Sequence, residues 1–171
     1  MQIASLKQLC ALLNIPCQKD GPVRGFSIDS RTIAPGEVFC ALQGERVDGH
    51  QFIQDALARG ASAVIASNAA SGLERHLIVP DVLTALQSLA AGSFKAARLP
   101  CIAVTGSVGK TTLKEFICQL LEGHFRIFKT PGNANSQVGL PLAILNGLND
   151  RNEVAVLEMG MSRAGEIRSE E

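Results

Sequence analysis

The stretch Pro100–Thr112, P-C-I-A-V-T-G-S-V-G-K-T-T, constrains this chain more than any other. The apolar run Cys101–Val104 suits a buried strand. It meets a turn punctuated by Gly106 and Gly109, and from Lys110 an amphipathic segment carries Leu113, Phe116, Ile117, Leu120 and Leu121 at helical spacing. Glycines without side chains let backbone N–H groups curl around phosphate oxygens at the positive end of the helix that follows. Gly106, Ser107, Val108, Gly109, Lys110, Thr111 and Thr112 therefore form a candidate nucleotide-phosphate loop. Lys110 would neutralise the outer phosphates, and the hydroxyl of Thr111 is placed to hold a bridging Mg2+. The strict pattern G-x-x-x-x-G-K-[ST] asks for glycine at position 104, where this chain has Val104. The plainer alternative is a glycine-rich turn before an ordinary helix with a solvated lysine. Strand before, helix after and G-K-T-T together favour phosphate binding, but the loop alone names no reaction.

Composition narrows the classes. With 46% hydrophobic residues over 171 positions, there is enough apolar material for one large core or two small ones. Sixteen basic and sixteen acidic residues cancel. A nucleic-acid surface or a polybasic membrane patch needs a concentrated positive field, so neither is expected and anion binding must be local. Cys10, Cys17, Cys40, Cys101 and Cys118 lie mostly in apolar runs without a C-x-x-C pair, which fits reduced core thiols in a cytoplasmic protein. Ile3, Leu6, Leu9, Cys10 and Leu13 are interrupted by Lys7, Gln8 and Asn14, so the N-terminus reads as one face of a helix rather than a signal peptide. No run approaches the length of a membrane span.

In chain order, Ser5 can cap a helix to about Asn14, stopped by Ile15-Pro16. Strands are expected at Gly25–Asp29 and Glu37–Leu42, then a glycine-rich loop from Gln43 to Gly49 and a helix defined by Phe52, Ile53, Ala56 and Leu57. Ala63–Ala66 and Leu77–Val79 read as strands on either side of the polar excursion Ser67–Arg75. This first unit, residues 1–80, is expected to be a small α/β domain with a largely parallel or mixed sheet. Asp81 can cap a helix carrying Leu83, Leu86, Leu89 and Ala90, which leads to the phosphate loop. A strand at Phe125–Lys129, a helix from Val138 to about Asn146 and a strand at Glu153–Glu158 follow. Residues 81–171 are thus expected to be the first part of an α/β nucleotide-binding domain, incomplete at its C-terminal end, within a longer protein.

Glu158 closes a buried strand in the same sheet as the phosphate-loop strand, at the edge where open α/β sheets bind ligands. A carboxylate there costs desolvation unless a cation or donor meets it, so Glu158 is the candidate Mg2+ ligand, against a helix-capping or solvated glutamate. Thr130–Ser136, with Asn133 and Asn135, follows a strand on that edge; from spacing alone, turn-shaping is its better reading. In the first unit, Asp29-Ser30-Arg31 follows a strand. The planar fork of Arg31 can bind phosphate, although such a turn is more often structural. His50 reads as a cap or surface histidine.

Taken together, D-S-R at 29–31, P-G-E-V-F-C-A-L at 35–42, D-G-H at 48–50, T-G-S-V-G-K-T at 105–111, G-N-A-N-S-Q-V-G-L-P-L at 132–142 and L-E-M-G-M-S-R-A-G-E-I at 157–167 resemble the Mur ligase family of ATP-dependent amide ligases. That family's phosphate loop normally lacks the first glycine. The last two blocks are most similar to the branch that adds D-alanyl-D-alanine to UDP-N-acetylmuramoyl-tripeptide.

The resemblance implies a three-domain enzyme using ATP and Mg2+, with an acyl-phosphate intermediate. This chain would hold its UDP-substrate domain and the first part of its ATPase domain. Carried over, Gly106–Thr112 match the ATP loop, Lys110 and Glu158 the catalytic positions, and Thr111 and Glu158 the Mg2+ positions. Asn133 and Asn135 match the loop near the muramoyl-peptide, while Ser30, Arg31, Asp48, Gly49 and His50 match positions in or beside the uridine-nucleotide pocket. Ser136 departs from the branch, which more often has a second consecutive asparagine there. A second metal site and the D-alanyl-D-alanine site would lie further along, so the chain alone is expected to be an inactive monomer. The alternatives are a ligase adding the third stem-peptide residue, a folylpolyglutamate synthase relative, a P-loop kinase or switch NTPase, and a non-catalytic UDP-precursor-binding module.

Overall fold

Parallel strands buried on both faces call for unbroken apolar runs, and small or β-branched residues dominate the two strands buried throughout, Ala63–Ala66 and Val154–Glu158. The computed structural model describes residues 3–44, 47–68 and 75–160. They fall into two compact units dividing between Leu89 and Ala90. In the first, helix α1 (Leu6–Leu13) starts where Ser5 Oγ accepts the Gln8 N–H at 3.2 Å and ends at Asn14, whose left-handed backbone (φ 55°) returns its N–H to Ala11 and Cys10. Leu6, Leu9 and Cys10 turn inward.

Strands β1 (Gly25–Ser27), β2 (Glu37–Cys40), β3 (Ala63–Ala66) and β4 (His76–Ile78) form a sheet in sequential order, parallel throughout. Ile33, Phe39, Ala41, Ile53, Ala56, Ala61, Val64 and Ala66 make its core, with Leu57 packed against them. The helix expected from Phe52 is instead a 3-10 turn (Gly49–Phe52) leading into α2 (Ile53–Ala58). The tighter turn changes the phase, so Phe52 is exposed while Ile53 and Ala56 are buried. Glu45, Arg46 and most of the polar excursion before Arg75 lie outside the described residues.

Helix α3 (Val82–Ala97) opens where Asp81 Oδ1 accepts the Thr84 N–H at 2.6 Å. Val82, Ala85, Leu86, Leu89 and Ala90 are buried; Leu83, expected among them, is half-buried. In the second unit, β5 (Cys101–Val104), α4 (Lys110–Leu121), β6 (Ile127–Lys129), α5 (Gly139–Gly147) and β7 (Val154–Glu158) follow. The strand order is β5-β7-β6, all parallel, and every residue of β7 is buried.

Two expectations need correction here. Strand β5 was expected to be buried, but among the described residues it is an edge strand: Cys101, Ile102 and Ala103 are exposed and only Val104 is covered. The apolar face expected on α4 is divided. Ile117, Cys118 and Leu121 pack with Val104, Val156 and Ile127, whereas Leu113, Phe116 and Leu120 face outward. At 100° per residue, positions 114, 118 and 121 form one stripe towards the sheet, and 113, 116 and 120 form its neighbour. The inward stripe includes Lys114, which is fully buried.

Candidate functional site

The candidate phosphate loop leaves β5 at its carboxyl end and enters α4. Gly106 (φ 146°) and Gly109 (φ 80°) hold backbone conformations that side-chain-bearing residues rarely adopt. An added Cβ at Gly109 would meet nothing within 4 Å, so the requirement there is conformational rather than steric. Gly109 caps α4 without a side-chain hydrogen bond, which leaves first-turn N–H groups available to an anion. Ser107, Val108 and Thr112 are exposed, and Lys110 Nζ donates to the Gly106 carbonyl at 2.7 Å.

Pairing of Val104 with Glu158 across β5 and β7 brings the glutamate beside the base of this loop. Glu158 Oε1 accepts from Thr111 Oγ1 at 3.1 Å and from Asn135 Nδ2 at 2.7 Å, while its backbone N–H donates to Thr130 Oγ1 at 2.8 Å. Glu158 is 1% exposed, and burial works to raise its pKa. The hydrogen bonds from Asn135 and Thr111, with the charge of Lys114, outweigh that and hold the carboxyl below its ordinary value. It is an ionised carboxylate at neutral pH.

Glu158 Oε2 is buried without a hydrogen-bond partner. Lys114 Nζ stands 3.4 Å away, within ion-pair distance but outside hydrogen-bond geometry. The hydroxyl of Thr111 beside the one ionised carboxylate of Glu158 fits a hard divalent cation such as Mg2+. That ion is commonly held by one or two carboxylates with substrate phosphates and water. No cluster of three or more His, Cys, Asp or Glu side chains occurs among the described residues, and the arrangement at Glu158 has a single carboxylate.

Three contributors were not named as site residues from the sequence, although two of them lie in the segments quoted above. Thr130 is fully buried and anchors the Glu158 backbone. Gly160 donates its N–H to the Asn135 carbonyl at 2.7 Å, and a Cβ there would lie 2.9 Å from that oxygen. Lys114 donates to the carbonyls of Thr130 (2.9 Å) and Gly132 (2.8 Å). A charged residue in phase with Cys118 and Leu121 is the signal that would have found it. Asn133, expected with Asn135, is exposed, and its carbonyl accepts the Asn135 N–H at 2.7 Å. Ser136, the departure noted above, accepts the Gly139 N–H at 3.0 Å near the start of α5.

The candidate residues of the first unit are bonded largely to one another. Ser30 is buried. Arg31 holds Asp29 through two parallel bonds, Nε to Oδ1 at 2.9 Å and Nη2 to Oδ2 at 2.7 Å. These and the Arg31 backbone N–H lower the Asp29 pKa to about 2. Asp48 caps the 3-10 turn by accepting the His50 N–H at 3.0 Å. His50 Nδ1 lies 2.6 Å from Asp48 Oδ1, and its Nε2 accepts the Ser67 N–H at 3.1 Å. Because a backbone amide can only donate, Nε2 is unprotonated and Nδ1 carries the proton towards Asp48. Gly49 has a steric reason to be glycine, since a Cβ would sit 2.6 Å from the Leu42 carbonyl oxygen.

A strand, a glycine turn entering a helix at Lys-Thr, and a strand-end carboxylate bonded to that threonine define the phosphate-loop α/β class. Comparison with known proteins narrows this. Residues 22–104 match the Mur ligase family, catalytic domain, and residues 104–171 match the Mur ligase middle domain. The chain belongs to the Mur ligase family.

It is 42% identical over 148 residues to the UDP-N-acetylmuramoyl-tripeptide--D-alanyl-D-alanine ligase of Bacillus subtilis, covering 85% of this chain and 32% of that protein. The Escherichia coli protein of the same name is 36% identical, covering 95% and 36% respectively. Among solved structures, the MurF ligase of Thermotoga maritima in complex with ADP aligns with TM-score 0.80 at 41% identity, covering 86% of this chain and 34% of that one. A MurF structure from Acinetobacter baumannii aligns with TM-score 0.86 at 32% identity, covering 96% and 37%. The chain thus spans about a third of the length of the curated relatives it matches.

Proposed function

We propose that this chain is part of an ATP-dependent amide ligase of peptidoglycan precursor synthesis, joining D-alanyl-D-alanine to UDP-N-acetylmuramoyl-tripeptide. The observation that carries this reading is the convergence of Thr111, Asn135 and the buried carboxylate of Glu158 at the foot of the glycine loop. Relatives bearing that name, at 42% and 36% identity, support it. Residues 1–80 would bind the UDP substrate, with Ser30, Arg31, Asp48, Gly49 and His50 in or beside the uridine-nucleotide pocket. Residues 81–171 would begin the ATP domain, with Asn133 and Asn135 near the muramoyl-peptide. The setting proposed is a monomer in the cytoplasm. Among the described residues no helix is long and apolar enough to cross a membrane.

A carboxylate is a poor electrophile until one of its oxygens becomes a leaving group. In the proposed reaction a tripeptide carboxylate oxygen attacks the γ-phosphorus of ATP, the bond to the β-phosphate oxygen breaks, and ADP departs. The D-alanyl-D-alanine amine then attacks the acyl carbon, loses a proton and expels phosphate. The N–H groups of the glycine loop and Lys110 would offset repulsion among the phosphates and the incoming carboxylate. Thr111 and Glu158 would hold Mg2+, which neutralises phosphate charge.

The test is ADP formation by the full-length ligase carrying this sequence, with Mg-ATP and UDP-muramoyl-tripeptide. ADP should require D-alanyl-D-alanine and fall by about 100-fold or more in Lys110→Ala. Turnover with a single amino acid would redirect the specificity, and turnover without any amine would sink the ligase reading. Residues 1–171 alone should give no turnover.

A further inference from the structure

A lysine without solvent exposure is unusual unless each of its N–H groups has an assignment. Lys114 lies one helical turn beyond Lys110, on the stripe of α4 that faces the sheet. Its ammonium donates to the Thr130 and Gly132 carbonyls at 2.9 and 2.8 Å and faces Glu158 Oε2 at 3.4 Å. Glu115 Oε1 lies 3.5 Å from the same nitrogen, and Glu115 Oε2 accepts from Lys129 Nζ at 2.7 Å. The lysine thus bridges the start of the Asn135 loop and the second oxygen of the carboxylate.

We propose that Lys114 is a positioning residue for the metal-nucleotide site. It draws Glu158 Oε2 inward and pins the Thr130–Gly132 turn, so that Oε1 stays directed at Thr111 and Asn135. This rests on the nucleotide reading above. Two features separate it from simple filling of the interior. The lysine's charge acts on the carboxylate that bonds Thr111, and the two carbonyls it holds begin the loop that delivers Asn135 to the same oxygen. Lys114 touches no reacting atom in this account; it acts through Glu158.

The test is Mn2+ binding to the full-length protein with ADP, followed by electron paramagnetic resonance, in wild type, Lys114→Met, Glu158→Gln and the double variant. Tm without ligand reports folding. Lys114→Met should weaken Mn2+ binding at least tenfold while ADP binding without metal changes by less than threefold. Lys114→Arg should recover most of the loss, and Lys114→Met should have little further effect in the Glu158→Gln background.

Mn2+ affinity within threefold of wild type in folded Lys114→Met, or a full additional loss in the double variant, would overturn the proposal. If Lys114→Met does not fold, Lys114→Gln takes its place under the same criteria. If neither folds, the lysine serves folding and the proposal is overturned. Failure of wild-type protein to bind Mn2+ with ADP would instead sink the nucleotide reading itself.

Discussion

The Asp29–Arg31 pair and the Glu158–Lys114 pair each put a carboxylate at or just beyond the carboxyl end of a parallel strand, and each belongs to a different unit. Arg31 reaches Asp29 in the better geometry, through two short parallel bonds, yet its side chain is 83% exposed. Lys114 reaches Glu158 less closely, at 3.4 Å, with both side chains out of solvent. Ideal geometry in water contributes little, because solvent screens the charges and ordering two side chains opposes the gain. Poorer geometry in the interior matters more, because neither charge has water to fall back on. Distances alone would rank the two pairs in the wrong order.

The largest effect should come from Lys114→Met, which leaves the Glu158 charge buried without its cation. Urea denaturation should show a loss of about 3–5 kcal/mol, and adding Glu158→Gln should restore most of it. Next is Gly160→Ala, whose methyl must displace the Asn135 carbonyl 2.9 Å away. The expected cost is about 1–3 kcal/mol by the same assay, accompanied by weaker ADP-metal binding. Gly109→Ala forces a side chain into a left-handed conformation and should cost about 1–2 kcal/mol, with reduced ATP affinity measured by calorimetry.

Smallest is Arg31→Gln, expected to leave Tm within about 2 °C at neutral pH. Asp29 has a depressed pKa, so any stability from the pair is fully present above the ordinary value of 3.8 and disappears as pH falls through about 2. Carboxyl NMR titration of Arg31→Gln should show Asp29 moving back towards 3.8. A large Tm loss in that variant at pH 7 would break the contrast between the two pairs.

Much of this was legible in the residues. The strand, glycine turn and helix from Pro100 to Thr112, the small residues of Ala63–Ala66 and the apolar run into Glu158 each carry a local physical requirement, and the elements form where those requirements place them. Glu158 stood out because a strand-end carboxylate in an α/β sheet needs a partner. Lys114 did not, because a lysine near the start of a helix is usually solvated; only the phase of α4 against the sheet makes it interior. Among the described residues β5 lies at the edge of the order β5-β7-β6, which local periodicity does not encode. The Asn135 loop was read as a turn former, and it is one, with Gly132 at φ 51°. Its side chain also serves Glu158, a contact that depends on two segments distant in the chain.

Strand β7 lies between β5 and β6 yet follows both in the chain. Neither earlier strand pairs with the other, so while synthesis proceeds from the N-terminus both wait for a neighbour that has not yet been made. The candidate phosphate loop acquires its carboxylate only when residue 158 arrives and β7 inserts, closing two long-range pairings together. In time, as opposed to space, the glycine turn is made first, with a strand and a helix but without the carboxylate that it faces in the finished sheet.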